Sequence, residues 1–254
     1  MRRSCGVFLL LAASPAFAQL PRIIFSGSGA SASGAYRGSA TFRFPTPTIQ
    51  VMVNAPYSGQ EKIEHTLGTT KGVARPTLLD QKVWRDSQGR IRIEKAFGPN
   101  APTVVEIQDP VAGYIYIMDD ITKVVHRIKV TISPQKNLEE VTTRTVPASV
   151  AAISTLEDLG TQTMDGLSVH GTRRIYNYPA GSRGNKAAFT STRDYWYSPD
   201  LNLIIRTVTT DPRSGGETEG VTNLSRDEPD PAKFVVPVDY KLVDETGEFT
   251  IQWK

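Results

Sequence analysis

Three histidines, His65, His126 and His170, are the first residues to test for chemistry, because imidazole is the usual base and metal ligand near neutral pH. Each stands alone in a strand-like run, with no second histidine at ligand spacing. They read as amphipathic strand residues, and no metal or cofactor is expected. A serine nucleophile on an α/β-hydrolase plan requires G-x-S-x-G, which does not occur. The acid pairs Asp119-Asp120, Glu139-Glu140 and Glu157-Asp158 are immediate neighbours. Neighbours splay apart on a strand or helix instead of converging across a substrate, so they read as solvated acids. Gly27-x-Gly29-x-x-Ala32 has the spacing of a dinucleotide fingerprint. Gly34, Gly38 and Pro45 then follow where the phosphate-binding helix would have to begin. Neither "RDSQG" nor "MDD" has the alternating acids of a calcium loop.

The amino end reads "MRRSCGVFLLLAASPAFAQL". Arg2 and Arg3 precede a short apolar run, and Ala16-Phe17-Ala18 is a small-residue cleavage site. The run is shorter than the ~20 residues that span a bilayer. Residues 1–18 are therefore expected to be a signal peptide cut between Ala18 and Gln19, giving a periplasmic or secreted protein. Cleavage removes two arginines and the only cysteine, so the formal charge falls from +3 to +1. A near-neutral chain has no electrostatic footprint for nucleic acid, and a chain without cysteine has no disulfide framework. Burial has to hold it together.

Those elements now need placing. "SGSGASASGAYRGSA" (26–40) is built of small residues that bury little, so 19–40 is expected to be a flexible tether. From Thr41 the pattern is mostly period two. In "WRDSQGRIRIEKAF" (84–97) the polar knot Asp86 to Gly89 predicts a type I turn with Gly89 left-handed. The register follows: Asp86 opposite Arg90, Trp84 opposite Arg92, Val83 opposite Ile93, Lys82 opposite Glu94. Val83, Ile91 and Ile93 form an apolar face. Arg85 shares it but sits beside the turn, within reach of water. "TVVEIQ", "YIYIMD" and "VVHRIKV" follow as strands joined by aspartate turns. They have few polar positions, so both their faces are expected to be covered.

Residues 131–160 admit two readings. Ser133 and Ser149 could cap short helices, the second stopped by Gly160, or the second half could be strand from Thr155. One or two short helices are expected here, to cover an apolar sheet face. After Gly160, strands at 167–178, 188–198, 201–210 and 218–226 are joined by turn residues, which predicts an antiparallel meander. Residues 228–240 hold one helical turn at most. The expected fold class is mainly β: a single curved antiparallel sheet of roughly nine to eleven strands spanning 41–241, with minor helix, and with 242–254 a C-terminal extension.

The runs "KVWRDSQGRIRIE" to "EIQDPVAGYIYIMDDITKVVHRI", and "LGTQTMDGLSVHGTRR" through "YWYSPDLNLIIRT" to "EPDPAKFVVPVDYKL", resemble proteins of the LolA/LolB-type fold. That type includes periplasmic lipoprotein carriers and the amino-terminal domain of the envelope-stress sensor RseB. The second run is similar also to exported bacterial proteins of unknown role. The resemblance implies an open half-barrel sheet with the short helices over its concave face. It further implies a non-enzymatic protein whose concave face takes a hydrophobic ligand, a lipid or an acylated protein, with peripheral membrane contact compatible with that role. An envelope interaction or sensing module is the alternative it leaves open, and a hydrolase the least supported. The expected ligand-facing residues are Val83, Ile91, Ile93, Tyr114 and Tyr116. The tyrosines are chosen over Ile115 and Ile117 because a hydroxyl can stay wet at a cavity mouth.

Overall fold

A computed structural model describes residues 22–28, 37–43, 48–67, 79–96, 102–143, 153–213 and 215–253. In chain order the strands are β1 (Arg22–Ser28), β2 (Arg37–Arg43), β3 (Thr48–Val51), β4 (Tyr57–Leu67), β5 (Leu79–Arg85), β6 (Ile91–Ala96), β7 (Thr103–Asp109), β8 (Tyr114–Asp119), β9 (Val124–Lys129) and β10 (Thr131–Pro134). A five-residue helix α1 (Glu139–Thr143) follows, then β11 (Ser154–Met164), β12 (Leu167–Tyr178), β13 (Phe189–Ser198), β14 (Leu203–Asp211) and β15 (Gly215–Ser225). A 3-10 turn at Pro231–Phe234 leads to β16 (Lys241–Glu245) and β17 (Phe249–Trp253).

The chain is mainly β, with a large curved open sheet that is not a closed barrel. Its twelve strands run β11-β12-β13-β14-β15-β4-β5-β6-β7-β8-β9-β16, one more than the upper expectation. The meanders are antiparallel, whereas β16 joins β9 in parallel and β10 pairs β3 in parallel. β16 reaches β9 only after the 226–240 segment, and a parallel neighbour needs such a long connection.

By its contacts the chain forms two units, one of Met1–Tyr57, Gln81–Gln135 and Asp227–Lys254, the other of Ser58–Asp80 and Lys136–Arg226. In the first unit, aspartates build the turns. The Asp86 carboxylate accepts the amides of Gln88 (3.0 Å) and Arg90 (2.8 Å). Gly89 closes the turn at φ 81°, and a Cβ there would meet Val51 Cγ1 at 2.6 Å. Position 89 thus demands glycine for both conformation and space. Asp109 and Asp119 repeat the device, accepting amides two residues on at 2.9 and 3.1 Å. The paired residues of β5 and β6 include Val83 with Ile93, Trp84 with Arg92 and Lys82 with Glu94, as the turn chemistry predicts.

Both faces of β7 to β9 are covered. On one, Val104, Ile115, Ile117 and Ile128 pack with Ala40, Phe42, Phe249 and Trp253. On the other, Val105, Ile107, Met118 and Val125 pack with Tyr116, Val236 and Tyr240. The cover on the first face is a three-stranded sheet, β1-β2-β17, not the helices expected from 131–160. Three expectations are therefore corrected. Part of the supposed tether 19–40 is strand, because Gly38 lies opposite Trp253 and Ala40 opposite Ile251, small residues leaving room for large ones. The supposed extension 242–254 supplies β17 and most of β16. Residues 131–134 are strand, so the first expected helix forms later than Ser133, as α1 from Glu139, and of the two readings of 149–160 the strand reading holds, from Ser154. The signal peptide and Ser149 lie outside the described residues.

In the second unit, β11 to β15 and β4 pair in the order just given, and α1 packs on β13. Its entry is held by Asn202, whose side chain accepts the amide of Leu138 at 2.8 Å and donates to the Lys136 carbonyl at 2.8 Å. The Tyr197 hydroxyl lies 2.9 Å from Asn137 Oδ1 and 3.1 Å from Asn202 Oδ1.

Candidate ligand face

Cross-strand partners share a face, so register decides what lies beside the apolar residues of β5 and β6. Val83 pairs Ile93, Ile93 pairs Glu106, Glu106 pairs Ile117, and Ile117 pairs His126. Val83 and Ile93 are buried and Ile91 is half-buried. Ile115 and Ile117 belong to this face. Tyr114 and Tyr116 do not, which corrects the choice made from sequence. Tyr116 pairs Ile107 on the opposite face, and burial raises its hydroxyl pKa. Tyr114 carries the Arg127 guanidinium 4.6 Å above its ring. The five residues of the sequence reading thus fall on two faces, three on one and two on the other. The choice rested on the tyrosine hydroxyls, because the turn residues Gly98-Pro99-Asn100 between β6 and β7 do not fix a register by themselves.

The face is not uniformly apolar. Lys95 Nζ lies 3.0 Å from Glu106 Oε2, and Gln108 Nε2 donates to Glu106 Oε1 at 2.8 Å, all three residues buried. Arg85, expected to reach water, is 3% exposed. Its Nε donates to the Ala55 carbonyl at 2.8 Å, and its guanidinium lies 4.7 Å from the centre of the Tyr57 ring. Burial lowers its pKa. Periodicity had no means of flagging these groups, because it registers Lys95 and Glu106 only as breaks in an apolar pattern. Over β7 to β9 the face is closed by the protein's own side chains. Phe42 stacks on Phe249 at 5.0 Å, and Trp253 Nε1 donates to Asp119 Oδ1 at 3.1 Å.

Two histidines have their surroundings described. His126 Nδ1 lies 2.7 Å from Glu245 Oε1, and the ring stacks on Phe249 at 4.2 Å. That ties β9 to both C-terminal strands. His170 Nε2 lies 2.9 Å from Asp158 Oδ1, and Nδ1 lies 3.4 Å from Glu139 Oε1. Both ring nitrogens face carboxylates, an arrangement that clips α1 and β11 to β12. Asp158 is held below the ordinary carboxylate pKa first by the Gly160 amide and then by His170. Among the described residues no three His, Cys, Asp or Glu side chains gather as a metal site.

The second unit has a cleft of ≈ 360 Å³ lined by Asn177, Tyr178, Pro179, Ala188, Phe189 and Thr190. Tyr178 stacks on Phe189 at 4.7 Å. Arg183 lies 5.2 Å above the tyrosine and Arg213 lies 4.0 Å above the phenylalanine. The result is a four-layer stack at the ends of two hairpins.

No family model matches the chain, and no curated protein matches it significantly. Solved structures do. An uncharacterized conserved protein from Thermus thermophilus is 12% identical, with a TM-score of 0.40 over 75% of this chain and 91% of its own. MucB in the Pseudomonas aeruginosa MucA/MucB complex is 12% identical, TM-score 0.39, over 75% of this chain and 58% of that one. LprF from Mycobacterium bovis is 14% identical, TM-score 0.29, over 73% and 90%. The chain is similar to these proteins in fold, and nothing they bind is carried over.

Proposed function

We propose that the protein is an exported, non-enzymatic binding protein whose ligand is hydrophobic, the acyl chain of a lipid or of an acylated protein. The ligand reaches the β5–β6 face at half-buried Ile91, beside Val83 and Ile93, which are already covered. The observation that carries this reading is the buried Lys95–Glu106–Gln108 group next to those apolar side chains. Taking two charges out of water costs several kcal/mol per ion before their attraction offsets it, so a face that served only as core would be more stable without them. A face that receives an apolar chain and orients its polar end has a use for them. Among the described residues, the packing of this face over β7 to β9 by the protein's own side chains supports the β5–β6 side.

A second reading, an envelope interaction or sensing module, is favoured by one observation. Along 235–242, Val235, Val238 and Leu242 are exposed, Val238 completely. Strand addition is an unsuitable mode for such a module. β11, at one end of the sheet, is bulged between Asp158 and Gly160, and β16, at the other, is short and charged.

Native mass spectrometry of gently purified protein separates the two. Co-purified lipid that disappears in Ile91→Asp supports the carrier. A clean mass with a partner crosslinked through 235–242 replaces it with the module.

A further inference from the structure

A second cleft of ≈ 410 Å³ lies within the second unit. Its floor is one cross-strand row: Arg206 of β14 pairs Gly220 of β15, which pairs Lys62 of β4. Adjacent strands are about 4.8 Å apart, so the two cations rise from backbones roughly 10 Å apart with bare glycine between them. Neither cation makes a hydrogen bond or ion pair among the described residues. Gly220 is required here. The register shift at Trp196/Tyr197 leaves Ile205 as a bulge, and a Cβ on Gly220 would stand 2.9 Å from the Ile205 carbonyl oxygen. Bulges of this kind re-aim a side chain beside a site, and this one precedes Arg206.

The remaining lining completes a pattern. Thr218 and Thr222 flank Gly220 on the same face of β15 and add hydroxyls. Glu64, opposite Thr218 in the next row, and Asp165, from the β11–β12 turn, add two carboxylates. Met164 supplies apolar surface, whereas the side chains of Ile205 and Val221 are buried. Two cations flanking a position without a side chain suit an anion with several acceptor oxygens. Two carboxylates beyond them disfavour a bare anion and suit one that carries its own cation.

We infer that this cleft binds a zwitterionic aminophosphate head group, its phosphate on the Lys62–Gly220–Arg206 row and its ammonium toward Glu64 and Asp165. The site does not depend on the apolar face of β5 and β6, so either assignment can fail alone. The head group can be free or carried on a lipid.

The test titrates the whole secreted chain with phosphoethanolamine, inorganic phosphate and ethanolamine, following the amides of Thr218 and Gly220 by NMR. Flotation with phosphatidylethanolamine and phosphatidylcholine vesicles runs in parallel. Phosphoethanolamine is expected to bind at least ~5-fold more tightly than phosphate. The Lys62→Gln/Arg206→Gln variant should lose at least ~10-fold, and Glu64→Gln/Asp165→Asn should erase the preference over phosphate. Vesicle binding without binding of the free compound, if lost in the cation variant, assigns the head group to a lipid. Overturning results are no binding of either probe, undiminished binding by the folded cation variant, or phosphate binding as tightly as phosphoethanolamine.

Discussion

β7 and β11 are both strands of the large sheet, yet β7 has five consecutive buried residues, Val104 to Gln108, whereas β11 has none. The first is covered by one layer on each face. The second ends the sheet and keeps Leu156 45% exposed. Pairing alone therefore says little about stability in this chain, since hydrogen-bonded strands of the two units differ in how much apolar surface they remove from water. Burial of apolar area, at about 25 cal/mol per Å², separates them.

The contrast can be broken most directly at Ile117, which is fully buried. Ile117→Asp leaves a carboxylate in an apolar layer and should cost about 4–5 kcal/mol or prevent folding, measured by urea denaturation. A loss under about 1 kcal/mol would mean that the layer does not exclude water. Next is Asn202→Ala in the second unit, which strips partners from the Leu138 amide and the Lys136 carbonyl. It should cost about 1–3 kcal/mol and loosen α1, seen as faster amide exchange at Leu138. A global loss without faster local exchange would deny it that role.

A smaller effect is expected at Glu228, which accepts the hydroxyl and, at 3.0 Å, the amide of Ser87. The hydroxyl is the larger cause of its lowered pKa. A depressed carboxylate contributes stability above its unfolded pKa, about 4.3, and loses it as pH falls through the folded value. Glu228→Gln should therefore lower stability, read from Tm, slightly at pH 7, by well under about 1 kcal/mol because the group is exposed, and the difference should shrink as pH falls below the unfolded value. A difference that grows on acidification would reverse the assignment. Smallest of all is Leu156→Thr in β11, which should change stability by no more than about 0.5 kcal/mol. A larger loss in thermal melts would show that β11 is covered after all.

What the sequence disclosed follows the range of the interactions. The β5–β6 register was legible because Asp86 and Gly89 set it within four residues. The strands at 167–178, 188–198, 201–210 and 218–226 match β12 to β15 closely, for the same reason. The β1-β2-β17 sheet was not legible. Gly38 and Ala40 look like linker residues until Trp253 and Ile251, more than 200 positions away, are set opposite them. The tyrosine choice failed because it rested on the hydroxyls, and the parity that decides the face is set by the β6–β7 and β7–β8 pairings. The cleft over Gly220 was hidden as well, since Lys62 and Arg206 are unremarkable alternation residues until β15 is placed between them.

The pairing of β2 with β17 constrains how this chain can mature. A polypeptide that emerges amino end first makes Phe42 and the β7–β9 strands long before Phe249 to Trp253 exist to cover them. Until the last strand arrives, Ile117 and its neighbours lack the Phe249–Trp253 part of their cover, and the β2 edge that β17 will pair stands open to strands of other molecules. The interval between the two is a window in which a holdase would find its client. Shortening the chain by a dozen residues would make that window permanent.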